Sequence, residues 1–302
     1  MLKGKVAIVT GSGRGIGEAM AQLLAKHGAK VVVNDPGVAQ SGEGGEQAPA
    51  AEVVAKIKKA GGEAVANFDS VATFDGATNI VNAALTHFGR VDILINNAGI
   101  LRDRMLHKMS PEDWQAVMDV HLGGHFNMSR AVINIFREQE SGRIINFTST
   151  SGLIGNVGQT NYGAAKLGIV AFTRILAMES MSKGITVNAI APSAWTRMTA
   201  SIPVNDEAGQ RRRDNLKKMK PEYIAALAVY LSSDAAKDVT GQVFGVRAGE
   251  IMVFSFPQPT RAVHRTGGWS PEELGEIAIK ALAPFFTPPQ VTTEVFPYEP
   301  ME

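Results

Sequence analysis

The chain alternates short runs of β-branched apolar residues with segments whose apolar residues repeat at helical spacing. The first strand-like run is KVAIVT (5–10) and the first helical segment is GIGEAMAQLLAKHG (15–28); up to residue 250 the chain contains seven such runs and six such segments. Short apolar runs of this kind predict strands that are buried on both faces, and intervening helices imply right-handed crossovers. The alternation therefore predicts an α/β fold with a doubly wound, parallel, seven-stranded sheet over residues 1–250.

The element boundaries follow from the same periodicity and from glycine stops. The predicted strands are 5–10, 30–35, 63–69, 91–97, 142–149, 185–192 and 241–249, and the predicted helices are 15–28, 50–62, 74–88, 111–138, 161–183 and 221–232. Past Gly249 the alternation weakens and prolines interrupt the chain. Residues 251–302 are therefore predicted to form a C-terminal extension that packs on the domain or on a partner subunit, with one helix that begins at SPEE (270–273).

Charge and composition exclude several classes of function. The net charge of +1 supplies no strong field for nucleic acid or acidic lipid, and the basic run RRRDNLKKMK (211–220) is interpreted as a solvated loop or helix face. The chain has no cysteine, which excludes disulfides, a thiolate nucleophile and zinc–sulfur sites. No run approaches 18 apolar residues and MLKGKVAIVTG carries no signal-peptide pattern, so we predict no membrane contact and a cytoplasmic location.

Histidine spacing argues against a bound metal. His121 and His125 are four residues apart, but the sequence offers no third ligand near them, and a structural role is expected. The long helices near 111–138 and 161–183 are more apolar than one sheet face would bury. That surplus predicts a homodimer or homotetramer.

A glycine-rich turn, TGSGRGIG (10–17), joins the first predicted strand to the first helix. It matches G-x-x-x-G-x-G through Gly11, Gly15 and Gly17; the spacing G-x-G-x-x-G fails because Ile16 and Glu18 occupy the third glycine position. Glycine lets the backbone turn tightly and approach a pyrophosphate, whose charge a helix N-terminus attracts. An ordinary turn is the alternative, but the place after the first buried strand favours a dinucleotide.

Asp35 ends the second predicted strand, about 20 residues beyond the glycine turn. A carboxylate at that place accepts hydrogen bonds from the adenosine ribose hydroxyls and repels a 2′-phosphate, so it favours NAD over NADP by at least about tenfold. An Asp that opens the DPG turn is the alternative. Arg14, inside the glycine-rich turn, is the opposing signal, because it could reach a 2′-phosphate; a solvent-exposed side chain is the favoured interpretation of this residue.

Tyr162 and Lys166 stand four residues apart in TNYGAAK (160–166), so on a helix they share a face. A nearby ammonium stabilises a phenolate and is expected to lower the tyrosine pKa from about 10, which makes the phenol a usable proton acceptor. Ser149 lies at the C-terminal end of a predicted strand, where open parallel sheets place ligands and where a hydroxyl can donate to an oxyanion. The alternatives are a solvated helix pair and a turn serine. Three neighbouring hydroxyls compete with Ser149 for its role: Thr148, Thr150 and Ser151.

Four motifs, TGSGRGIG, NNAG (96–99), Ser149 and YGAAK (162–166), stand in the order and spacing of the short-chain dehydrogenase/reductase family. The chain resembles that family from residue 5 to about residue 250. The resemblance implies a Rossmann-type fold and an NAD(P)-dependent exchange between alcohol and ketone. It also implies that Tyr162 is the acid/base, that Lys166 lowers its pKa and holds the nicotinamide ribose, and that Ser149 orients the substrate oxygen.

The resemblance further implies a set of residues around the dinucleotide. They are Gly11, Ser12, Arg14, Gly15, Ile16, Gly17, Asp35, Asp69, Ser70, Asn97, Ala98, Gly99, Tyr162, Lys166, Pro192, Ala194 and Thr196. Asp69 with Ser70 is expected to face the adenine, and PSAWT (192–196) to lie beside the nicotinamide. Two positions depart from the family pattern: His121 replaces an Asn that anchors a proton-relay water, and Ser193 replaces a Gly. A relay through His121 is a hypothesis.

Longer stretches, among them VVVNDPG, VHLGGHF and GNVGQTNYGAAKLG, resemble one branch of the family. That branch comprises the (3R)-hydroxyacyl-CoA dehydrogenase parts of peroxisomal multifunctional enzymes of type 2, also called 17β-hydroxysteroid dehydrogenases of type 4. A histidine at position 121 is usual there, and the C-terminal extension helps build the active-site region across a dimer. The resemblance implies NAD-dependent oxidation of a (3R)-hydroxyacyl-CoA to the 3-ketoacyl-CoA.

Two other functions stay open at the level of sequence. The first keeps the chemistry but changes the small-molecule substrate to a 17β-hydroxysteroid or to a CoA thioester on a sterol side chain, which the apolar extension would also suit. The second is a cofactor-binding scaffold without catalysis, and the intact Ser-Tyr-Lys set argues against it.

Overall fold

The computed structural model describes residues 1–44, 48–195 and 206–301. Its strands are β1 (Val6–Thr10), β2 (Lys30–Asn34), β3 (Ala64–Asn67), β4 (Ile93–Asn96), β5 (Gly142–Phe147), β6 (Ile185–Ser193), β7 (Val243–Arg247) and β8 (Glu250–Val253). They form one sheet in the order β3-β2-β1-β4-β5-β6-β7-β8, with β1 to β7 parallel and β8 antiparallel to β7. The predicted doubly wound α/β fold is confirmed.

Helices cover both faces of this sheet. The longer ones are α1 (Gly15–Lys26), α2 (Ala48–Lys59), α3 (Phe74–Phe88), α4 (Pro111–Met118), α5 (Gly124–Gln139), α7 (Thr160–Ser180), α8 (Glu207–Lys218) and α9 (Pro221–Leu231); α6 (Thr150–Leu153) is a single turn. The buried apolar residues accordingly divide into two large clusters. Among the described helices, none is both long enough and apolar enough to span a membrane.

The prediction of seven strands is wrong by one, because β8 follows β7 after a turn at Ala248 and Gly249. Ala248 adopts a positive φ of 51°, which few residues other than glycine adopt. A four-residue strand that directly follows a glycine gives no periodic signal of its own, and the sequence pattern therefore assigned these residues to the extension.

One predicted helix is divided in the structure, and one open interpretation is narrowed to a single alternative. The predicted single helix over 111–138 is divided by a π-helical turn at Asp119–Gly123, between α4 and α5. The basic run at 211–220 lies mostly on α8, as a helix face. The first of these changes matters for the site, because π turns recur at functional positions and this one contains His121.

Residues after β8 contact the rest of the chain at several places, and two of these lie close to the C-terminus. Thr292 donates its backbone N–H to the carbonyl of Gly155, at 3.2 Å. Farther along, the Arg247 guanidinium donates to the carbonyl of Tyr298, and Gly249 N–H donates to the carbonyl of Met301 at 2.9 Å. The division into a domain at 1–250 and an extension at 251–302 stays a prediction.

Candidate active site

Two cavities meet at the carboxyl edge of the parallel strands, near the point where the strand order reverses between β1 and β4. The first, of about 500 Å³, lies against the glycine-rich turn and is here named the cofactor cavity. The second is a wider cleft beyond Ser149, here named the substrate cleft. Five residues line both: Ile16, Gln40, Arg102, Tyr162 and Pro192. Open α/β sheets bind their ligands at such a switch point.

The glycine-rich turn leaves bare backbone facing the cofactor cavity. Gly11 and Gly15 have positive φ values of 61° and 59°. A Cβ on Gly17 would lie 2.2 Å from the carbonyl oxygen of Gly11, and a Cβ on Gly13 would lie 2.7 Å from Oδ2 of Asp35. A backbone free of side chains at the start of α1 fits a dinucleotide, whose pyrophosphate needs N–H groups at close approach.

Asp35 is held by the turns on both sides of it. Its Oδ2 accepts a hydrogen bond from the N–H of Gly13 at 2.9 Å, and its Oδ1 accepts one from the N–H of Gly37 at 2.7 Å. The carboxylate lines the cofactor cavity in that fixed orientation. Asp35 therefore forms the turn and also faces the cavity, so the two interpretations from the sequence, turn formation and ribose binding, are compatible.

The NNAG segment ties β4 to the glycine-rich turn. The side-chain amide of Asn97 donates to the carbonyls of Thr10 and Gly11, at 3.0 and 2.9 Å. In return, the hydroxyl of Thr10 accepts the backbone N–H groups of Asn97 and Ala98. Asn97 therefore shapes the loop as well as lining the cavity.

Tyr162, Ser149 and Lys166 come together where the two cavities join. Ser149 caps α6 through its side chain and also hydrogen-bonds to the Tyr162 hydroxyl. Lys166, only 3% exposed, lies one turn beyond Tyr162 on α7, with its Nζ 5.5 Å from the centre of the phenol ring. That Nζ donates to the carbonyl of Phe147 at 2.6 Å.

The electrostatics of this group differ from the sequence expectation. Desolvation raises the pKa of Tyr162 to about 12, and this effect outweighs the hydrogen bond from Ser149, which lowers it. Burial lowers the pKa of Lys166 to about 7. The expected lowering of the tyrosine pKa by its neighbouring cation is not realised in this structure, because low-polarity surroundings disfavour both charged forms.

His121 lies in the π turn behind the phenol. Its ring meets the Tyr162 ring edge-on, with the centroids 5.1 Å apart. Its Nε2 lies 2.8 Å from the carbonyl of Ile100, whereas its buried Nδ1 has no hydrogen-bond partner. Burial, and next the Lys166 ammonium, hold the pKa of His121 well below its usual range, so the ring is neutral.

Comparison with known proteins identifies the family. The family described as short chain dehydrogenase matches residues 5–207. The chain belongs to the short-chain dehydrogenase/reductase family. A crystal structure of a short chain dehydrogenase from Mycobacterium avium superposes with a TM-score of 0.83 at 42% identity, covering 96% of this chain and 98% of that one. The protein is therefore an oxidoreductase that acts on CH–OH groups, and members of this family generally use NAD(P).

Three curated relatives indicate the range of substrates. Peroxisomal multifunctional enzyme A of Dictyostelium discoideum is 48% identical over 82% of this chain, which spans about half (53%) of that relative. A 3-oxoacyl-[acyl-carrier-protein] reductase of Synechocystis is 44% identical over 83% of this chain and 98% of its own length. A hydroxyacyl-CoA dehydrogenase of Mycobacterium tuberculosis is 39% identical over 90% of this chain and 87% of its own length.

The predicted cofactor residues divide between the two cavities. The cofactor cavity is lined by Gly11, Arg14, Gly15, Ile16, Gly17, Asp35, Ser70, Asn97, Ala98, Gly99, Tyr162, Lys166 and Pro192, together with His121. Ala194, like Ser149, lines the substrate cleft. Two predicted residues line neither: Ser12 is buried and donates to the carbonyl of Val9, and the carboxylate of Asp69 accepts from Asn67 and Asn79. Thr196 lies outside the described residues.

Three residues at the cavities were not predicted from the sequence to belong to the site. Gly13 avoids a collision with Asp35, and Gln40 lines both cavities. Arg102 donates from Nε to the carbonyl of Ser41 at 2.9 Å, and its Nη1 lies 3.6 Å from Oδ1 of Asp113. It thereby anchors the loop around Ser41 at the junction of the two cavities. The sequence signal for Gly13 is that the 10–17 turn contains one glycine more than the three that match G-x-x-x-G-x-G.

In the part of the chain that the structure describes, no group of three or more His, Asp or Glu side chains is placed to hold a metal ion. His125, the partner of His121 in sequence, faces the backbone of β5.

Proposed function

We propose that the protein oxidises a (3R)-hydroxyacyl-CoA to the 3-ketoacyl-CoA with NAD. The observation that carries the proposal is the meeting of Tyr162, Ser149 and Lys166 at the junction of the cofactor cavity and the substrate cleft. A substrate oxygen that entered from the cleft would reach the phenol and the serine hydroxyl together. Proton transfer at that oxygen is the step an alcohol dehydrogenase must assist.

In the proposed mechanism each side chain has a separate task. Ser149 donates a hydrogen bond to the substrate oxygen and orients it, while Tyr162 takes the hydroxyl proton. The Lys166 ammonium stabilises the phenolate. A nicotinamide dinucleotide, when bound, supplies the acceptor for the hydride. Its pyrophosphate would be held by the backbone of Gly11, Gly15 and neighbouring residues, and its nicotinamide ribose by Lys166.

NAD rather than NADP is proposed because the Asp35 carboxylate faces the cofactor cavity. A fixed negative charge there accepts ribose hydroxyls and repels a 2′-phosphate. We expect at least about tenfold higher kcat/KM with NAD than with NADP. Equal values with the two cofactors would contradict this assignment. Asp35→Ala should lower the ratio of kcat/KM with NAD to kcat/KM with NADP. Asp69→Ala, which removes a carboxylate outside the cavity, is the control and should leave this ratio unchanged.

The CoA thioester is proposed on two grounds: the sequence resemblance, and the Mycobacterium tuberculosis relative that is named a hydroxyacyl-CoA dehydrogenase. An acyl-carrier-protein thioester is the competing substrate, because a relative with that name matches over nearly its whole length. Both thioesters share the 3-hydroxyacyl group, so only the carrier separates them. Small-molecule steroid-like substrates are a weaker alternative, resting on the resemblance alone.

An absorbance screen for NADH tests the function. Short, medium, branched and sterol 3-hydroxyacyl-CoAs, the matching acyl-carrier-protein thioesters and free hydroxysteroids would be compared as substrates. We expect the (3R)-hydroxyacyl-CoAs to give the highest kcat/KM. Turnover of oestradiol but not of hydroxyacyl-CoA would transfer the assignment to steroids. Tyr162→Phe should lower kcat by several orders of magnitude while NAD still binds, and unchanged turnover would remove Tyr162 from the mechanism.

The proposed setting is a cytoplasmic homodimer or homotetramer without nucleic-acid or membrane partners. The absence of cysteine from the sequence is compatible with a reducing compartment. Several large apolar side chains of α5 and α7 are exposed, among them Phe126, Leu167, Ile175 and Met178. Cell fractionation tests the location, and light scattering tests the assembly.

A further inference from the structure

His125 is a buried histidine that the proposed mechanism does not use. It is the second residue of α5, directly after the π turn, and it is 2% exposed. Its Nδ1 lies 2.6 Å from the carbonyl of His121, one turn earlier. Its Nε2 accepts the backbone N–H of Phe147, at 3.3 Å. The imidazole therefore links the π turn to the end of β5.

The partners of the ring fix its tautomer. A carbonyl oxygen only accepts, so Nδ1 must carry the proton that points at His121, and Nε2 presents its lone pair to Phe147. Three groups face the ring from outside α5: the Lys166 ammonium from α7, the carbonyl of Asn96 from β4 and the backbone of Phe147 from β5. Burial, and next Lys166, lower the pKa of His125 to about 3, so the ring stays neutral in the working pH range.

Phe147 connects this histidine to the candidate catalytic group. It is the last residue of β5, one position beyond the final pair of the β4–β5 ladder, Asn96 with Asn146. Its carbonyl accepts the hydrogen bond from Lys166 Nζ at 2.6 Å. The His125 ring thus holds the N–H of Phe147, and the carbonyl of the same residue accepts from Lys166. Phe147 lies beyond the last β4–β5 pair, so β4 does not fix its backbone.

We propose that His125 is a positioning residue that acts through the backbone of Phe147 to hold the Lys166 ammonium behind Tyr162. The inference rests on the proposed function, because it assigns His125 a part in the same proton transfer. It extends that function to a residue with no direct access to substrate or cofactor: His125 lines neither the cofactor cavity nor the substrate cleft.

The direction of the effect follows from the charged form that the Phe147 carbonyl stabilises. A hydrogen bond to an ammonium favours its protonated form, so a displaced carbonyl lets the pKa of Lys166 fall further. A smaller protonated fraction of Lys166 then raises the apparent pKa of Tyr162, the proposed catalytic base. Loss of His125 should therefore move the pH profile of alcohol oxidation towards alkaline values.

Two amide substitutions separate the two contacts of the ring. In His125→Asn the amide reaches the Nδ1 position and keeps the bond to His121, whereas in His125→Gln it reaches the Nε2 position and keeps the bond to Phe147. We expect H125N to lose about tenfold in kcat at pH 7 and to shift the profile by about half a pH unit or more. H125Q should stay within about twofold of the wild type with an unchanged profile. Ser129→Ala, which removes another buried contact of α5, is the control for stability alone.

The inference is overturned if H125N and H125Q behave alike, or if the activity of H125N falls only in proportion to its folded fraction. A substrate-free measurement keeps it separate from the proposed function: competitive acetylation followed by mass spectrometry should give a lower pKa for Lys166 in H125N than in the wild type. An unchanged pKa would refute His125 as a positioning residue, whatever the substrate is. If neither variant folds, the nitrogen chemical shifts of His125 in the wild type decide, since a proton on Nε2 rather than Nδ1 would contradict the arrangement.

Discussion

Tyr162 and Lys166 are both held in surroundings that favour their uncharged forms. Desolvation raises the pKa of Tyr162 to about 12, and burial lowers the pKa of Lys166 to about 7. The spacing of four residues on a helix correctly places the two side chains together, but it says nothing of the dielectric around them. The pair stores electrostatic strain, which is common at functional sites and is offset by packing elsewhere.

Replacing Lys166 should reveal this strain as a change in the pH dependence of stability. The folded-state pKa is about 7 and the unfolded value is 10.5, so the unfolded chain binds more protons between those pH values. The wild type therefore gains stability from this residue as the pH rises from about 7 to 10.5, and Lys166→Met loses that gain. We expect the difference in free energy of unfolding between the two proteins to change by a few kcal/mol across the window. Urea unfolding followed by circular dichroism measures it, and a difference independent of pH would contradict the burial of a titrating lysine.

At the level of elements, the turn between β1 and α1 depends on glycines, which have no side chain to collide with the backbone. Gly17 lies within α1 and faces the carbonyl of Gly11, so the nearest atoms that a side chain there would meet belong to the backbone. Two side chains stabilise the same turn: the Ser12 hydroxyl donates a hydrogen bond to the carbonyl of Val9, and the Asn97 amide donates one to the carbonyl of Gly11. The turn is therefore held in its conformation by hydrogen bonds within the protein itself.

Gly17→Ala should weaken cofactor binding through the backbone alone. The added Cβ would lie 2.2 Å from the Gly11 oxygen, so the turn must move, and we expect NADH affinity to fall at least about tenfold with a loss of stability of about 1–3 kcal/mol. Fluorescence titration and thermal unfolding measure the two effects. Gly275→Ala, where a Cβ meets nothing within 4 Å, is the matched control. Unaltered NADH affinity in G17A would show that the turn does not hold the cofactor.

Helix α7 carries the candidate catalytic pair on one face and an apolar stripe on another. Leu167, Ile175 and Met178 recur at helical spacing and are 49%, 52% and 59% exposed. A charge in the middle of such a stripe penalises any association that buries it. We expect Ile175→Glu to shift the protein towards monomer in light scattering at micromolar concentration. Phe74→Glu, at an exposed aromatic residue on α3, should leave the mass unchanged, and an unchanged mass for I175E would contradict an association through this stripe.

At the scale of the whole molecule, the C-terminal residues return to the substrate cleft. Thr292, Phe296 and Tyr298 line it, and the segment is held at Gly155 and by Arg247. Arg247 is 8% exposed and also pairs with Glu250 at 2.9 Å. One buried guanidinium thus joins the last two strands to the end of the chain.

Arg247→Ala should release this segment. Hydrogen exchange at the amides of Gly249 and Thr292 should become faster, and the KM for a long-chain substrate should rise more than kcat falls, because the cleft loses a wall far from the proton transfer. Arg90→Ala, which removes a half-exposed guanidinium from the buried Asp92 carboxylate far from the cleft, serves as the control. Slow exchange retained at both amides would mean that the segment does not depend on Arg247.

Most of the fold was predictable from sequence because its signals are local. Apolar runs marked β1 to β7, and glycines marked the ends of helices such as α3, whose C-cap Gly89 is left-handed. The strand β8 and the π turn at 119–123 were not predictable, because antiparallel pairing and an extra residue in a helical turn leave no periodic trace.

By itself the sequence determined three features: the buried parallel strands, a turn without side chains at its glycines, and a tyrosine and a lysine one helical turn apart. These follow from periods and spacings that short stretches of chain impose on themselves. Only the tertiary structure decided the state of those groups. The pKa values of Tyr162 and Lys166, the neutral ring of His125 and the return of residue 298 to Arg247 all depend on contacts distant in sequence, because desolvation and long-range hydrogen bonds exist only once the chain has packed.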